Sequence, residues 1–171
     1  MFILTRSMLP LLVAIPGLSS ACWEQAAAKH KIPVVWLQAI ADVESGQNPS
    51  AVNGSHRHRT GTVDIGIMQI NSSAPVLRNL GVTEKDLFDP CINIDAGARI
   101  LAEKVARYGA TWNAIGAYNA SCVTMTLEQC LRVRMRYAWR FYRALVRRTA
   151  PVRLEKSPLV AATPLYSVSM P

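Results

Sequence analysis

Several kinds of site are excluded by what this chain has little of. It carries three histidines and four cysteines, and neither set forms a zinc pattern. No two cysteines share a short knuckle with matching partners, and the pair His56 and His58 has no evident third ligand. No metal or other cofactor is expected, and both histidines read as exposed residues of a polar loop. No apolar run approaches the roughly twenty residues of a membrane-spanning helix. The longest near the N-terminus, Met8 to Leu18, has eleven residues and would rise only about 16 Å as a helix. There is no internal repeat. No helix-turn-helix or RNA-binding signature accompanies the basic balance of 19 Lys and Arg against 11 Asp and Glu, so nucleic acid is not the expected partner.

The N-terminal segment reads as an address. Arg6 is a short positive flank, Met8 to Leu18 is the apolar run, and Ser19-Ser20-Ala21 supplies the small residues that a signal peptidase accepts. Residues 1–21 are therefore expected to be a signal peptide, with an uncleaved N-terminal anchor as the alternative. A lipoprotein is a weaker fit, because Ser19 stands where an apolar residue is usual. Removal leaves 150 residues, enough for one domain with a substantial core. Four cysteines in an exported chain, Cys22, Cys91, Cys122 and Cys130, point to disulfides, with three pairings open.

The charge is unevenly spread. From Cys22 to Leu127 nine basic residues balance nine acidic ones, and the excess follows: Arg132, Arg134, Arg136, Arg140, Arg143, Arg147, Arg148, Arg153 and Lys156 against Glu128 and Glu155. Such a segment suits an anionic wall polymer, a lipid surface or a protein partner, or is simply a solvated face.

Periodicity predicts a mainly helical domain over 22–148. Cys22 to Lys31 is alanine-rich and helix-prone. Ile32, Val35, Trp36, Ala39, Ile40 and Val43 recur at helical steps, with Pro33 suited to the start and Gly46 to the stop. Gln47 to Thr62 reads as loop, and Val63 to Ile70 as a short strand or hairpin arm. Short helical pieces are expected over Pro75–Gly81 and Thr83–Phe88. A strong helix follows from Ile92 to Tyr108, with Ile94, Ala98, Leu101, Ala102 and Val105 on one face, and another opens at Thr111 or Asn113. Thr126-x-x-Gln129 is a capping box for a long last helix. Its expected buried line is Leu127, Leu131, Met135, Ala138 or Trp139, Tyr142, and Leu145 or Val146. Residues 149–171 contain several prolines, lack periodicity and are expected to be disordered.

Three short motifs carry the chemistry: Glu44-Ser45-Gly46, then Gly66-Ile67-Met68-Gln69-Ile70-Asn71, then Ala117-Tyr118-Asn119. Glu44 falls in the last turn of its helix, where the macrodipole disfavours a negative charge, and beside the apolar Ile40 and Val43. Both effects raise a carboxyl pKa and hold a proton near neutral pH, as a general acid needs. In this order and spacing the motifs resemble those of the lytic transglycosylases, a lysozyme-like family that cuts peptidoglycan glycan strands. The resemblance runs from about Cys22 to about Leu145 and is nearest the branch attached to secretion, conjugation and pilus systems.

The resemblance implies a helical, lysozyme-like α+β fold with a small β-hairpin lining a glycan cleft, and a periplasmic enzyme that needs no cofactor. Glu44 would protonate the glycosidic oxygen and then act as base on the muramoyl C6 hydroxyl, closing a 1,6-anhydro ring. Tyr118 would reach Glu44 and orient it, Ser45 would contact the N-acetyl group, and Gln69 and Asn119 would bind the sugar. Met68 would offer a soft apolar surface to a sugar ring, Gly66 would let backbone approach closely, and Ile67 and Ile70 read as core. Asp64 either pins the hairpin, the role we favour, or stabilises charge. Among the disulfide pairings we favour Cys22–Cys91, which the resembling enzymes share, and a local Cys122–Cys130; in the chain-entropy account they contribute about 4 and about 2.5 kcal/mol.

The chain departs from the pattern at Ser121, where the family writes Gly; a Cβ there would be strained if the turn needs positive φ. Two rival readings are a hydrolytic lysozyme using Glu44 with Asp64, and a non-catalytic wall-binding or assembly protein. The expected partners are peptidoglycan strands and, through the basic last helix, components of a secretion, conjugation or pilus apparatus.

Overall fold

The computed structural model describes residues 18–150. Residues 1–17, most of the expected signal peptide, and 151–171, nearly all of the expected tail, lie outside the described residues. The elements in chain order are α1 (Leu18–His30), α2 (Val34–Glu44), β1 (Val52–Asn53), α3 (Arg57–Thr60), β2 (Asp64–Ile65), β3 (Ile70–Asn71), α4 (Ala74–Leu80), a 3-10 turn (Asp86–Phe88), α5 (Pro90–Tyr108), α6 (Trp112–Asn119) and α7 (Leu127–Thr149). The strands form one antiparallel sheet in the order β1-β2-β3, with Asp64 opposite both Asn53 and Asn71. The chain is thus mainly helical with a small sheet, as the resemblance implies.

Local chemistry explains the helix starts. The Asp89 carboxylate accepts the backbone N–H groups of Cys91 and Ile92, and Pro90 occupies the first turn of α5 where a missing N–H costs nothing. Thr111 caps α6. Thr126 and Gln129 form the reciprocal capping box that opens α7. Helix α5 packs against α1 and α6, and α7 lies across α6 and α2. The core runs through Leu37 and Ile40 of α2, Ile65, Met68 and Ile70 of the sheet region, Ile94 and Leu101 of α5, and Phe141 of α7. Both favoured disulfides are present: Cys22–Cys91 ties α1 to α5, and Cys122–Cys130 ties the α6–α7 loop to α7. Among the described residues no helix is long and apolar enough to cross a membrane.

Two polar clamps fix the parts of this fold that matter to the cleft. Asn93 of α5 is fully buried. Its amide donates to the carbonyls of Ile65 and Leu87, both at 2.9 Å, and its Oδ1 accepts the Met68 N–H at 2.8 Å. One side chain therefore holds the whole turn between β2 and β3. Gly66 makes that possible: its φ is +80°, and a Cβ there would lie 2.2 Å from the Asn93 amide nitrogen. The second clamp joins α6 to α7. A Cβ at Gly116 would meet the Arg134 backbone at 2.5 Å, so the helices cross in near contact. Buried Arg134 donates to the Ala120 carbonyl at 3.1 Å and to Asn113 Oδ1 at 3.2 Å.

That crossing overturns most of the expected face of α7; of the expected line only Ala138 is buried and Leu145 partly so. The helix buries Cys130, Arg134, Tyr137, Ala138, Phe141 and Ala144, whereas Leu127, Leu131, Met135, Trp139, Tyr142 and Val146 are exposed. The sequence of α7 contains two apolar rows. The gap above Gly116 admits the narrow row that includes Arg134, and Arg134 then finds the carbonyl and side-chain acceptors of α6 that a Leu could not use.

Candidate active site

Glu44 ends α2 at the foot of a cleft of about 700 Å³. The same cleft is lined by Asp64 and Asn71 of the sheet, by His56 and Gln69, by Tyr118, Asn119 and Ser121, and by α4 and α5 residues including Val76 and Lys104. The three sequence motifs therefore converge on one hollow, but several of their side chains have other duties than expected.

The Glu44 pKa is raised from 4.5 to about 7. Burial is the main cause; the Asp64 charge adds to it, while the Tyr137 hydroxyl and Arg140 act in the opposite direction. A carboxyl so placed keeps its proton close to neutral pH yet still ionises readily. The group that touches it is Tyr137, whose hydroxyl donates to Glu44 Oε1 at 2.5 Å. Tyr118 does not make this contact. Its hydroxyl donates to the Met68 carbonyl at 2.9 Å, and its ring stacks on that of Tyr137 with centroids 6.4 Å apart. Burial, with the nearby carboxylates, holds both phenols well above their ordinary range, so they remain donors. The chain of support runs from Met68 to Tyr118, then to Tyr137 by stacking, then to the acid.

Helix α7 also fixes the end of α2 from outside. Arg140 donates to the Val43 carbonyl at 2.8 Å. Arg148 grips Asp42 at 2.5 and 2.6 Å and Gln38 at 3.2 Å. Burial would raise the Asp42 carboxyl, but Arg148 and Gln47 outweigh it and hold the pKa low. Of the excess arginines, Arg134, Arg140 and Arg148 are thus engaged by the body itself.

Ser45 is a correction. Its hydroxyl donates to the Ile67 carbonyl at 2.8 Å and accepts the Asn48 N–H at 3.1 Å, so it fastens the end of α2 to the second motif and does not line the cleft. Met68 is another: it is fully buried against Gly97 and presents no surface to a sugar ring. The apolar cleft surface includes half-buried Val76, Leu80 and Ile100. Gln69 lines the cleft, but its amide nitrogen is taken by the carbonyls of Gly66 and Ala51 at 2.9 and 3.2 Å. Only its Oε1 lacks a partner among the described residues. Asn119 is exposed at the cleft, and its side chain makes no hydrogen bond among the described residues.

Asp64 is pinned and exposed to the cleft at once. Asn71 donates to its Oδ1 at 2.8 Å, and His56 Nε2 lies 3.7 Å from the same oxygen. His56 is accordingly not the exposed loop residue expected; His58 is. Ser121 carries no positive φ. The left-handed residue is Cys122, at φ +64°, one position later and held by its disulfide. The residues missed from sequence are Tyr137, His56 and Asn93. Tyr137 had a signal, since it lies in register with Ala138, Phe141 and Ala144 as the second apolar row of α7.

Comparison with known proteins identifies the family. The Transglycosylase SLT domain family matches residues 21–126, a segment that holds all three motifs and stops before α7. Protein IpgF of Shigella flexneri is 40% identical over 147 residues, covering 84% of this chain and 92% of that protein. Invasion protein IagB of Salmonella typhi is 41% identical over 129 residues, covering 72% and 76%. A peptidoglycan-binding-like protein of Escherichia coli O157:H7 is 35% identical over 130 residues, covering 72% and 75%. On the family match and these relatives, the chain belongs to the Transglycosylase SLT domain family.

Proposed function

We propose that the protein is a periplasmic lytic transglycosylase that cleaves the β-1,4 bond between MurNAc and GlcNAc in peptidoglycan and leaves a 1,6-anhydro-muramic acid end. The observation that carries this reading is the Glu44 carboxyl, half-buried at the foot of a cleft with its pKa raised to about 7. Protonated Glu44 gives its proton to the glycosidic oxygen as the bond to C1 breaks, while the substrate's own N-acetyl oxygen shares the positive charge at C1. The Glu44 carboxylate, now hydrogen-bonded by Tyr137, takes the proton from the C6 hydroxyl as O6 attacks C1. The acid is regenerated and no water is consumed. A raised pKa suits both halves of this cycle, because the same group must give a proton and then recover one. Asn119 and Gln69 Oε1 would bind the glycan. The likeness to a protein named for peptidoglycan binding supports the substrate.

A second reading rests on Asp64, which faces the same cleft and whose charge is felt at Glu44. A hydrolytic lysozyme would use that carboxylate to stabilise or trap the sugar cation. The hydrogen bond from Asn71 favours the positioning role. Mass spectrometry of digested peptidoglycan separates the two: anhydro ends, with most activity kept in Asp64→Asn, support the transglycosylase. Reducing ends together with an inactive Asp64→Asn would establish the hydrolase. Glu44→Gln should lose more than about a hundredfold in rate while keeping its fold; activity within a few-fold of the parent would sink both catalytic readings. The cell-level role that fits is local wall opening for a secretion, conjugation or pilus apparatus.

A further inference from the structure

The outer row of α7 lies outside the buried core and does not line the cleft. Leu131, Met135, Trp139, Tyr142 and Val146 are each 40–60% exposed. They follow one another at steps of four, four, three and four residues, so Leu131 and Tyr142, like Met135 and Val146, lie eleven apart. That spacing keeps a row nearly straight along a helix for about 23 Å. Trp139 stacks on Tyr142, and Tyr142 meets Trp112 of α6 edge-on, with centroids 5.2 and 5.9 Å apart. Between them, Met135 and Ala138 floor a hollow of about 240 Å³. At 100° per residue, Arg132, Arg136, Arg143 and Arg147 fall together along the edge of this row that faces away from the core. Arg132 pairs with Glu128. Arg136 and Arg143 make no ion pair or hydrogen bond among the described residues.

We propose that this face docks an amphipathic helix of a protein partner, with apolar side chains seated along the row and Asp or Glu along the edge that meets the arginines. Charge selects among the possible occupants. A second copy would bring the same arginine edge on a chain of net charge +8, and residues 151–171 bring Arg153 and Lys156 against only Glu155. An anionic bilayer would satisfy the arginines, but fluid chains need no preformed hollow. A row of apolar knobs beside a pocket of side-chain size is the surface that a helix packs into. Exposed Trp, Tyr and Arg are also the residues in which binding energy at protein interfaces concentrates. The proposal rests on the reading that the protein works beside a wall-crossing assembly, not on which products Glu44 forms.

The test places the photo-crosslinking residue benzoylphenylalanine at position 135 or 139, and at exposed Glu84 as control, in the full-length protein in its native host. Cross-linked segments are sequenced by mass spectrometry. The expected result is one segment of a different protein, apolar on one face and rich in Asp or Glu beside it. Its yield should fall at least tenfold in Arg136→Glu/Arg143→Glu and recover in Arg136→Lys/Arg143→Lys. Cross-links to lipid, to a second copy, to residues 151–171 or to a segment without acidic residues would overturn the proposal, as would a yield no higher than at Glu84. Trp139→Ser should cut short soluble glycans within about twofold of the parent, which separates lost docking from lost folding. Glu44→Gln should keep the cross-link and lose cleavage, so the docking face and the catalytic reading fail separately.

Discussion

The two faces of α7 have nearly the same composition and opposite fates. The inner face buries Tyr137, Phe141 and Arg134, and through Arg140 and Arg148 it fixes the end of α2. The outer face leaves Trp139, Tyr142 and Arg136 to solvent. Each face offers aromatic and arginine side chains at helical spacing, so hydrophobicity alone does not choose between them. The choice is made by the partner surface. Gly116 leaves room for the α7 backbone to approach at Arg134, and the Ala120 carbonyl and Asn113 Oδ1 accept from the guanidinium that Arg134 supplies. The inner face is therefore the one whose polar atoms can be satisfied, not the one with more carbon.

Truncation is the coarsest way to break this comparison. Phe141→Ala should cost about 3–5 kcal/mol, because Phe141 is fully buried against Trp36 and Trp112. Trp139→Ala should stay within about 0.5 kcal/mol. Chemical denaturation of the two variants measures both, and equal losses would mean that the outer face also supports the fold.

The acid provides the next effect, and its sign is fixed by the direction of the shift. Below about pH 4.5 Glu44 is protonated whether the chain is folded or not, so burial costs nothing there. Between about 4.5 and 7 the unfolded chain ionises while the folded chain resists, and stability falls as pH rises until the loss is complete. Glu44→Gln should be more stable than the parent at pH 8, by at most about 3 kcal/mol, and equal to it near pH 4. Thermal unfolding across that range reads the difference; a constant offset at every pH would contradict it.

A smaller contrast sets two neighbouring arginines against each other. Arg148 makes a two-pronged bond to partly buried Asp42, so Arg148→Gln should cost about 1–2 kcal/mol. Arg147, on the outer edge, should be replaceable by Gln within about 0.5 kcal/mol. Similar losses would place Arg147 in the same clamp.

The same contrast explains what could be read from sequence. Helix α2 has an apolar row that put Ala39 and Ile40 inward and Glu44 beside the core, although fully buried Leu37 lay outside the row expected and Val35, within it, is only half-buried. The cap at Thr126 was legible from local spacing, the start of α6 only as Thr111 or Asn113, and the disulfide pairing only as a preference drawn largely from the family pattern. Tyr118 and Tyr137 were not: both are aromatic, both are near Glu44, and only the stacking order decides which hydroxyl touches the acid. Met68 and Ser45 were misjudged for a related reason. A motif names the residues of a site without saying which face the ligand and which hold the backbone, and here Asn93 and Ile67 claim the latter.

The claim on which the rest depends is that α7 turns Tyr137 inward to a protonatable Glu44. Carbon NMR titration of the Glu44 carboxyl, assigned with Glu44→Gln, tests it most directly. In the parent the carboxyl should titrate at about 7. In Tyr137→Phe, which removes the hydrogen bond that favours the carboxylate, it should titrate higher. A value near 4.5 in the parent, unmoved by Tyr137→Phe, would contradict both the burial of the acid and the role given to the inner face of α7.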